Sequence, residues 1–175
     1  MTISLEPLSD ETHALILPWR NAPAVRSRMY TQHTITPAEH RAWFEAMRSD
    51  LARQSYLCRD DRMQAVGCVS FTDINAVHQT AFWGFFSAPD MPRGTGKRIL
   101  HAALEMAFGN MKLAKLCGEV LSSNAPSIQL HKQCGFREEG RFRAQFWDGE
   151  KRIDVIRFGM LADEWLKRER SGLDK

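Results

Sequence analysis

The sequence lacks most of the features that give a protein away quickly. No apolar run approaches the ~20 residues needed to span a bilayer. The opening stretch MTISLEPLSDE has neither the basic segment nor the apolar core of a signal peptide. Cys58, Cys68, Cys117 and Cys134 show neither paired nor metal-ligand spacing, which argues against a disulfide framework and a zinc site and for reduced thiols. There are no internal repeats and no low-complexity tracts. The net charge of +3 is mild, and basic residues are interleaved with acids, as in LADEWLKRERSGLDK, so neither a nucleic-acid partner nor a membrane is expected. What is left is an ordinary composition, 43% hydrophobic and 26% charged, over 175 residues. That length predicts one domain, residues 1–175, large enough to bury a full core, and the reduced thiols with no signal peptide predict the cytoplasm.

Periodicity and punctuation supply the architecture. ISLEPL alternates as a strand, and Ser9 or Asp10 can cap a helix through ETHALILPWRN that Pro18 should stop or kink. In TPAEHRAWFEAMRSDL, Thr36, Pro37 and Glu39 form a helix start with a capping box, and Trp43, Met47 and Leu51 share a face beside His40. SYLCR, MQAVGCVSFTDI and the aromatic QTAFWGFFS read as strands, with Gly84 marking a bulge or a close approach. A helix with a stripe from Ile99 to Met111 follows, then the strand KLCGEVL, then a helix capped by Asn124 and stopped by Gly135. RFRAQFW and RIDVIRFGML make a hairpin through Asp148-Gly149, and ADEWLKRER a last helix. The order predicts a mixed α/β sheet with helices on both faces.

One loop stands out chemically. MPRGTGKRIL, residues 91–100, sets two glycines and three cations before a helix, so backbone N–H groups of Gly94 to Arg98 and the positive end of the helix dipole can meet an anion. It is no Walker loop, because Arg98 follows Gly-Lys where Ser or Thr is needed, and no dinucleotide fingerprint. A solvated turn with basic decoration is the plain alternative.

NAPSIQLHKQCGF, one strand downstream, changes the reading. Together with PRGTGKRILHAALEMAF it resembles the acetyl-CoA-binding half of the GNAT N-acetyltransferase family, and the element order matches over essentially the full chain. The resemblance implies the GNAT fold, a mostly antiparallel twisted sheet with a splayed central pair of strands. It implies acetyl-CoA as co-substrate and no metal. Its pyrophosphate would sit on Arg93, Gly94, Thr95, Gly96, Lys97 and Arg98, and its pantetheine along Asn124 and Ser127. Phe85, Phe86 and Ser87 of the strand before the loop would contact the pantetheine and thioester. Two positions depart from the pattern: Arg98 stands where a small residue is usual, and His131 where a tyrosine usually protonates the leaving thiolate.

The stretch PWRNAPAVRSRMYTQHTITPAEHRAWF is similar, more narrowly, to bacterial enzymes that acetylate the 4-amino group of a UDP-linked 2-acetamido-2,4,6-trideoxy sugar in pseudaminic acid synthesis. That likeness implies a UDP-amino sugar acceptor. Arg20, Met29, Tyr30, His40 and Trp43 form its wall, with Thr72 and Phe82 beside the sugar and Arg20 or His40 on its phosphates. Glu119 is the candidate base, since a carboxylate inside an interior strand is costly unless paired or used. Its plain alternative is an ion pair with a nearby arginine. His131 is the candidate acid, against a histidine that merely packs. Acetylation of a protein N-terminus or a small amine is the rival acceptor class. A CoA-binding regulatory domain is the rival without catalysis. A homodimer is left open.

Overall fold

A computed structural model describes residues 2–172. Seven strands form one sheet in the order β1-β2-β3-β4-β5-β7-β6. They are β1 (Ser4–Pro7), β2 (Gln54–Arg59), β3 (Ala65–Asn75), β4 (Thr80–Ser87), β5 (Lys115–Leu121), β6 (Arg137–Trp147) and β7 (Arg152–Leu161). Helices α1 (His13–Asn21), α2 (Pro23–Arg26) and α3 (Pro37–Arg48) precede β2; α4 (Thr95–Leu104) and α5 (Ala125–Gln133) flank β5; α6 (Ala162–Ser171) follows β7. The sheet is the mixed, mostly antiparallel one expected. Only β4 and β5 run parallel.

That parallel pair is short. Its register runs from Thr80↔Lys115 to Trp83↔Gly118 and stops. Beyond it β4 continues to Ser87 against β3 alone, and β5 continues to Leu121 against β7 alone. The strands therefore part in a V whose apex is Trp83 and Gly118. Each side of the sheet carries its own core. Ile99, Leu100, Ala103 and Leu104 of α4 pack with Phe71, Leu116, Phe136 and Phe158. On the opposite face Ile16 of α1 and Phe44 and Met47 of α3 pack on Leu57 and Cys68.

Local signals explain most boundaries. Thr36 and Glu39 form the reciprocal capping box, with Glu39 N–H donating to Thr36 Oγ1 (3.2 Å) and Thr36 N–H to Glu39 Oε2 (2.7 Å). Gly135 takes a φ of 92°, the left-handed stop after α5. Other expectations need correction. Pro18 lies inside α1, which runs on to Asn21. The Ser9 hydroxyl accepts the N–H groups of Glu11 and Thr12 in the turn before the helix, and Thr12 occupies the cap. Leu51 lies past the end of α3 and is exposed, and the buried stripe is His40, Phe44 and Met47. The helix after the glycine loop changes to a π-helical turn at Glu105–Asn110. No register shift occurs at Gly84; the shift in β3 falls between Thr72 and Asn75.

Close packing beside the V is tightest at Gly67 of β3. A Cβ there would lie 2.6 Å from the Phe86 carbonyl oxygen and 2.8 Å from Ile99 Cδ1. The Phe86 oxygen is backbone and cannot swing away. Gly67→Ala is expected to cost about 1–3 kcal/mol, as overpacking does, read as a lowered urea midpoint at unchanged slope.

Candidate active site

The V opens into a cavity of about 650 Å³ that passes through the sheet and joins two chemically different halves. One half is built by Trp83 and Phe85 of β4 and by Asn124, Pro126, Ser127, Leu130 and His131 around the start of α5. The other is built by Gly84 and Phe86 of β4, Cys68 and Ser70 of β3, and residues from α1 to α3 that include Arg20, Met29, His40 and Trp43. Alternation along β4 assigns its side chains to these halves, and a Cβ at Gly84 would meet nothing within 4 Å.

The glycine loop lies beside the first half but does not line the cavity. Gly94, at a φ of 90°, turns the chain into α4, whose first-turn N–H groups have no intrahelical acceptor. Thr95 is buried, its hydroxyl donating to the Pro92 carbonyl (2.8 Å). Arg98 folds back so that Nη2 donates to Thr95 Oγ1 (2.9 Å), which braces the first turn. Arg93 on the loop and Lys97 in the first turn of α4 are exposed. Asn124 caps α5, its Oδ1 accepting the Ser127 N–H (3.3 Å).

His131 is buried beneath this half, stacked on Phe158 with ring centroids 5.0 Å apart and tilted against Trp83. Its Nδ1 lies 2.8 Å from the Ser127 carbonyl, which can only accept, so Nδ1 carries the proton. Burial holds the imidazole below its ordinary pKa, against the raising effect of that hydrogen bond. The neutral ring thus presents Nε2 as an acceptor, and the imidazolium anticipated as an acid is disfavoured here.

His40 receives the same treatment. Its Nε2 donates to the His13 carbonyl (2.8 Å), it stacks between His13 and Trp43, and desolvation lowers its pKa. It is a neutral wall and not a cation for phosphate. The arginines that line this half are Arg20 and Arg28. Asn21 pins residues 31–36 by exchanging hydrogen bonds with Ile35 (2.8 and 2.9 Å), and Arg20 Nη2 donates to the Thr31 carbonyl (3.0 Å). Arg20 Nη1 is buried with no partner among the described residues.

Glu119 sits one residue past the apex, half-buried and in the cavity wall. Both its oxygens are engaged. Oε1 accepts from Arg157 Nε (3.1 Å) and Nη2 (2.6 Å), and Oε2 accepts the Tyr30 hydroxyl (2.7 Å). Tyr30 is otherwise exposed, and burial of its hydroxyl against this carboxylate raises its pKa, so it stays a donor. Tyr30, Thr72 and Phe82 do not line the cavity, although Tyr30 reaches its wall through Glu119. Thr72 is exposed on β3, and Phe82 lies under the Arg157 guanidinium, 4.3 Å away.

Sequence reasoning did not find Arg157, Trp83 or Arg28. Only the β5–β7 register sets Arg157 opposite Glu119. Trp83 is an aromatic among aromatics until the apex is located, and its Nε1 is buried without a partner among the described residues. Arg28, in the irregular segment after α2, lines the cavity and forms no ion pair among the described residues.

Comparison with known proteins fits this geometry. The model for the acetyltransferase (GNAT) domain matches residues 2–137. The chain belongs to the GNAT acetyltransferase family. It is an N-acetyltransferase that uses acetyl-CoA. The chain is similar to a spermidine N(1)-acetyltransferase of Vibrio cholerae, 28% identical over 120 residues, covering 68% of this chain and 69% of the relative. It is also similar to the acetyltransferase PseH of Campylobacter jejuni, 26% identical over 129 residues, covering 74% and 79%. The crystal structure of spermidine N-acetyltransferase from Vibrio cholerae in complex with CoA and spermine superposes with a TM-score of 0.88 at 23% identity, over 94% of this chain and 98% of that one. Among the described residues, no helix is long and apolar enough to cross a membrane and no cluster of three or more His, Cys, Asp or Glu could hold a metal ion.

The two buried histidines generate a pH dependence. Both have lowered pKa values in the folded state, so the unfolded chain takes up protons first, and stability present above about pH 6.5 is lost as pH falls below it. The melting temperature should be flat near neutrality and decline through the acid side of that value. His131→Phe should decline less steeply; an equal slope would show that His131 is not held neutral.

Proposed function

We propose that the chain transfers the acetyl group of acetyl-CoA directly to the 4-amino group of a UDP-linked amino-dideoxy sugar. The observation that carries this reading is the charge distribution in the acceptor half of the cavity. Its carboxylates are already occupied. Glu39 holds His33 (3.0 Å) and Thr36, and Glu119 holds Arg157 and Tyr30. Its half-buried guanidinium is not, since the buried Nη1 of Arg20 has no partner among the described residues, with Arg28 on the same wall. A desolvated, uncompensated cation favours an anionic group such as a diphosphate. The exposed face of Trp43 and the Met29 side chain suit a flat or apolar part of the same ligand. A polyamine, named for several relatives, is the rival acceptor, but a polycation gains most from carboxylates that do not already hold a cation, and Glu119 is paired with Arg157.

Acetyl-CoA supplies the activated acetyl thioester. The edge of β4 from Gly84 to Ser87, left without a strand partner on the β5 side, offers backbone N–H groups to its carbonyl. First-turn amides of α4, with Arg93 and Lys97, suit the pyrophosphate. Asn124 and Ser127 border the path of the pantetheine. A carboxylate has four acceptor positions, and three on Glu119 are taken, so Oε2 keeps one for the incoming amine and its proton. A thiolate of ordinary pKa, about 8.5, leaves without a strong acid, consistent with a neutral His131. Direct transfer is favoured because the cavity's thiol, Cys68, is buried and desolvation pushes its pKa up to about 12, which disqualifies it as an acyl carrier.

Mass-spectrometric assay of acetyl transfer to UDP-4-amino-4,6-dideoxy-N-acetyl-β-L-altrosamine, spermidine and a peptide panel tests the reading. Turnover of the sugar nucleotide is expected, and turnover of spermidine or peptides alone would refute it. Arg20→Gln should raise the sugar nucleotide KM by about 10- to 100-fold, the loss of one charged hydrogen bond, and leave the acetyl-CoA KM unchanged. Gly94→Ala strains the loop and should weaken CoA binding in calorimetry several-fold without altering acceptor affinity.

A further inference from the structure

We propose that Arg157 is a positioning residue for Glu119, and that two aromatic side chains outside the cavity, Phe82 and Phe142, set its orientation. The inference rests on Glu119 receiving the acceptor amine. Arg157 lies directly across from Glu119 in the β5–β7 register, and neither Arg157 nor Phe142 lines the cavity. Both of its donating nitrogens converge on Oε1, which leaves Oε2 to Tyr30 and to the cavity. A guanidinium is planar, so fixing its plane fixes the carboxylate it holds. Here the plane is fixed by packing: the guanidinium carbon sits 4.3 Å from the Phe82 ring centroid and 5.4 Å from that of Phe142.

The second oxygen is framed in the same way. Tyr30 and Phe146 meet in a T-shaped arrangement with ring centroids 5.6 Å apart. Phe142 and Phe146 are the two ends of one register shift in β6, where Ala144 takes a φ of 53° and its N–H donates to Asp154 Oδ1 (2.9 Å). One bulge in an edge strand thus supplies an aromatic contact to each partner of Glu119. The ion pair is only about a quarter exposed on both sides and is bidentate, so it contributes to folding as well as to orientation. It leaves one acceptor position, on Oε2, at the parting of β4 and β5.

The test is a set of variants assayed with whichever amine the wild type acetylates in the panel above. Should the sugar nucleotide be inert while another amine turns over, the acceptor reading fails and the Arg157 test still runs. Phe142→Ala, at an exposed position that folding tolerates, should lower kcat on the order of 10-fold while the Kd for CoA and the melting temperature hold. Arg157→Lys keeps the charge and loses the plane, and should be impaired within a few-fold of Arg157→Gln. In a Glu119→Gln background, Arg157→Gln should add little further loss, because it acts through the carboxylate. Wild-type kcat in Phe142→Ala, full rescue by lysine, or losses that multiply in the double variant would each overturn the proposal.

Discussion

The structure depends on one failure of pairing. Parallel strands β4 and β5 hold together for four residue pairs and then separate. Unpaired strand edges are costly when buried and prone to pair with other chains when exposed, so a sheet that opens in its middle needs a reason and a way to stay open. Both neighbours supply the means: β3 keeps β4 to Ser87, and β7 keeps β5 to Leu121. The cores on the two faces wedge the halves, one through α4 and the other through α1 and α3. Glu119, Phe85 and Phe86 owe their access to the cavity to this parting. In an unbroken sheet they would be interior strand residues with no route to a ligand.

Electrostatics within the opening follow from burial. Histidines that the sequence offers as cations or acids, His40 and His131, are desolvated and tied by one ring nitrogen to a backbone carbonyl, so they line the site as neutral groups. Carboxylates are engaged before any ligand arrives. The charge left over belongs to Arg20 and Arg28, and the Nη1 of Arg20 is buried without a partner among the described residues. Superposition on a spermidine acetyltransferase at 23% identity speaks for the fold, whereas acceptor choice turns on such residual charges, which diverge long before a fold does.

How much of this is legible in the sequence follows the range of the interaction. The capping box at Thr36 and Glu39 and the left-handed Gly135 are contained within a few residues, and the pattern gives them directly. Element order is equally local, and so is the glycine loop, although its meaning comes only with the helix that starts at Asn124. Leu51 misled because spacing along an ideal helix ignores where that helix ends. Arg157, 38 residues from its partner, and Tyr30, 89 residues away, belong to Glu119 only through the register and the path of the chain after α2. Periodicity contains neither. The histidine tautomers are likewise invisible, because they depend on which carbonyl lies opposite which nitrogen.

Gly118 shows how the same parting constrains the leaving-group end. A Cβ there would lie 2.9 Å from Trp83 Nε1 and 3.2 Å from His131 Nε2, so glycine is what lets these two atoms face one small space. One is a donor without a partner among the described residues, and the other is an acceptor because its ring holds its proton on Nδ1. A tyrosine at position 131 would bring a hydroxyl able to do both jobs from one atom. With histidine they are divided between β4 and α5, and the polar hydrogen at the apex belongs to Trp83. The departure at 131 therefore leaves a neutral acceptor on α5 and the polar hydrogen on β4, where a tyrosine would have held both on the helix.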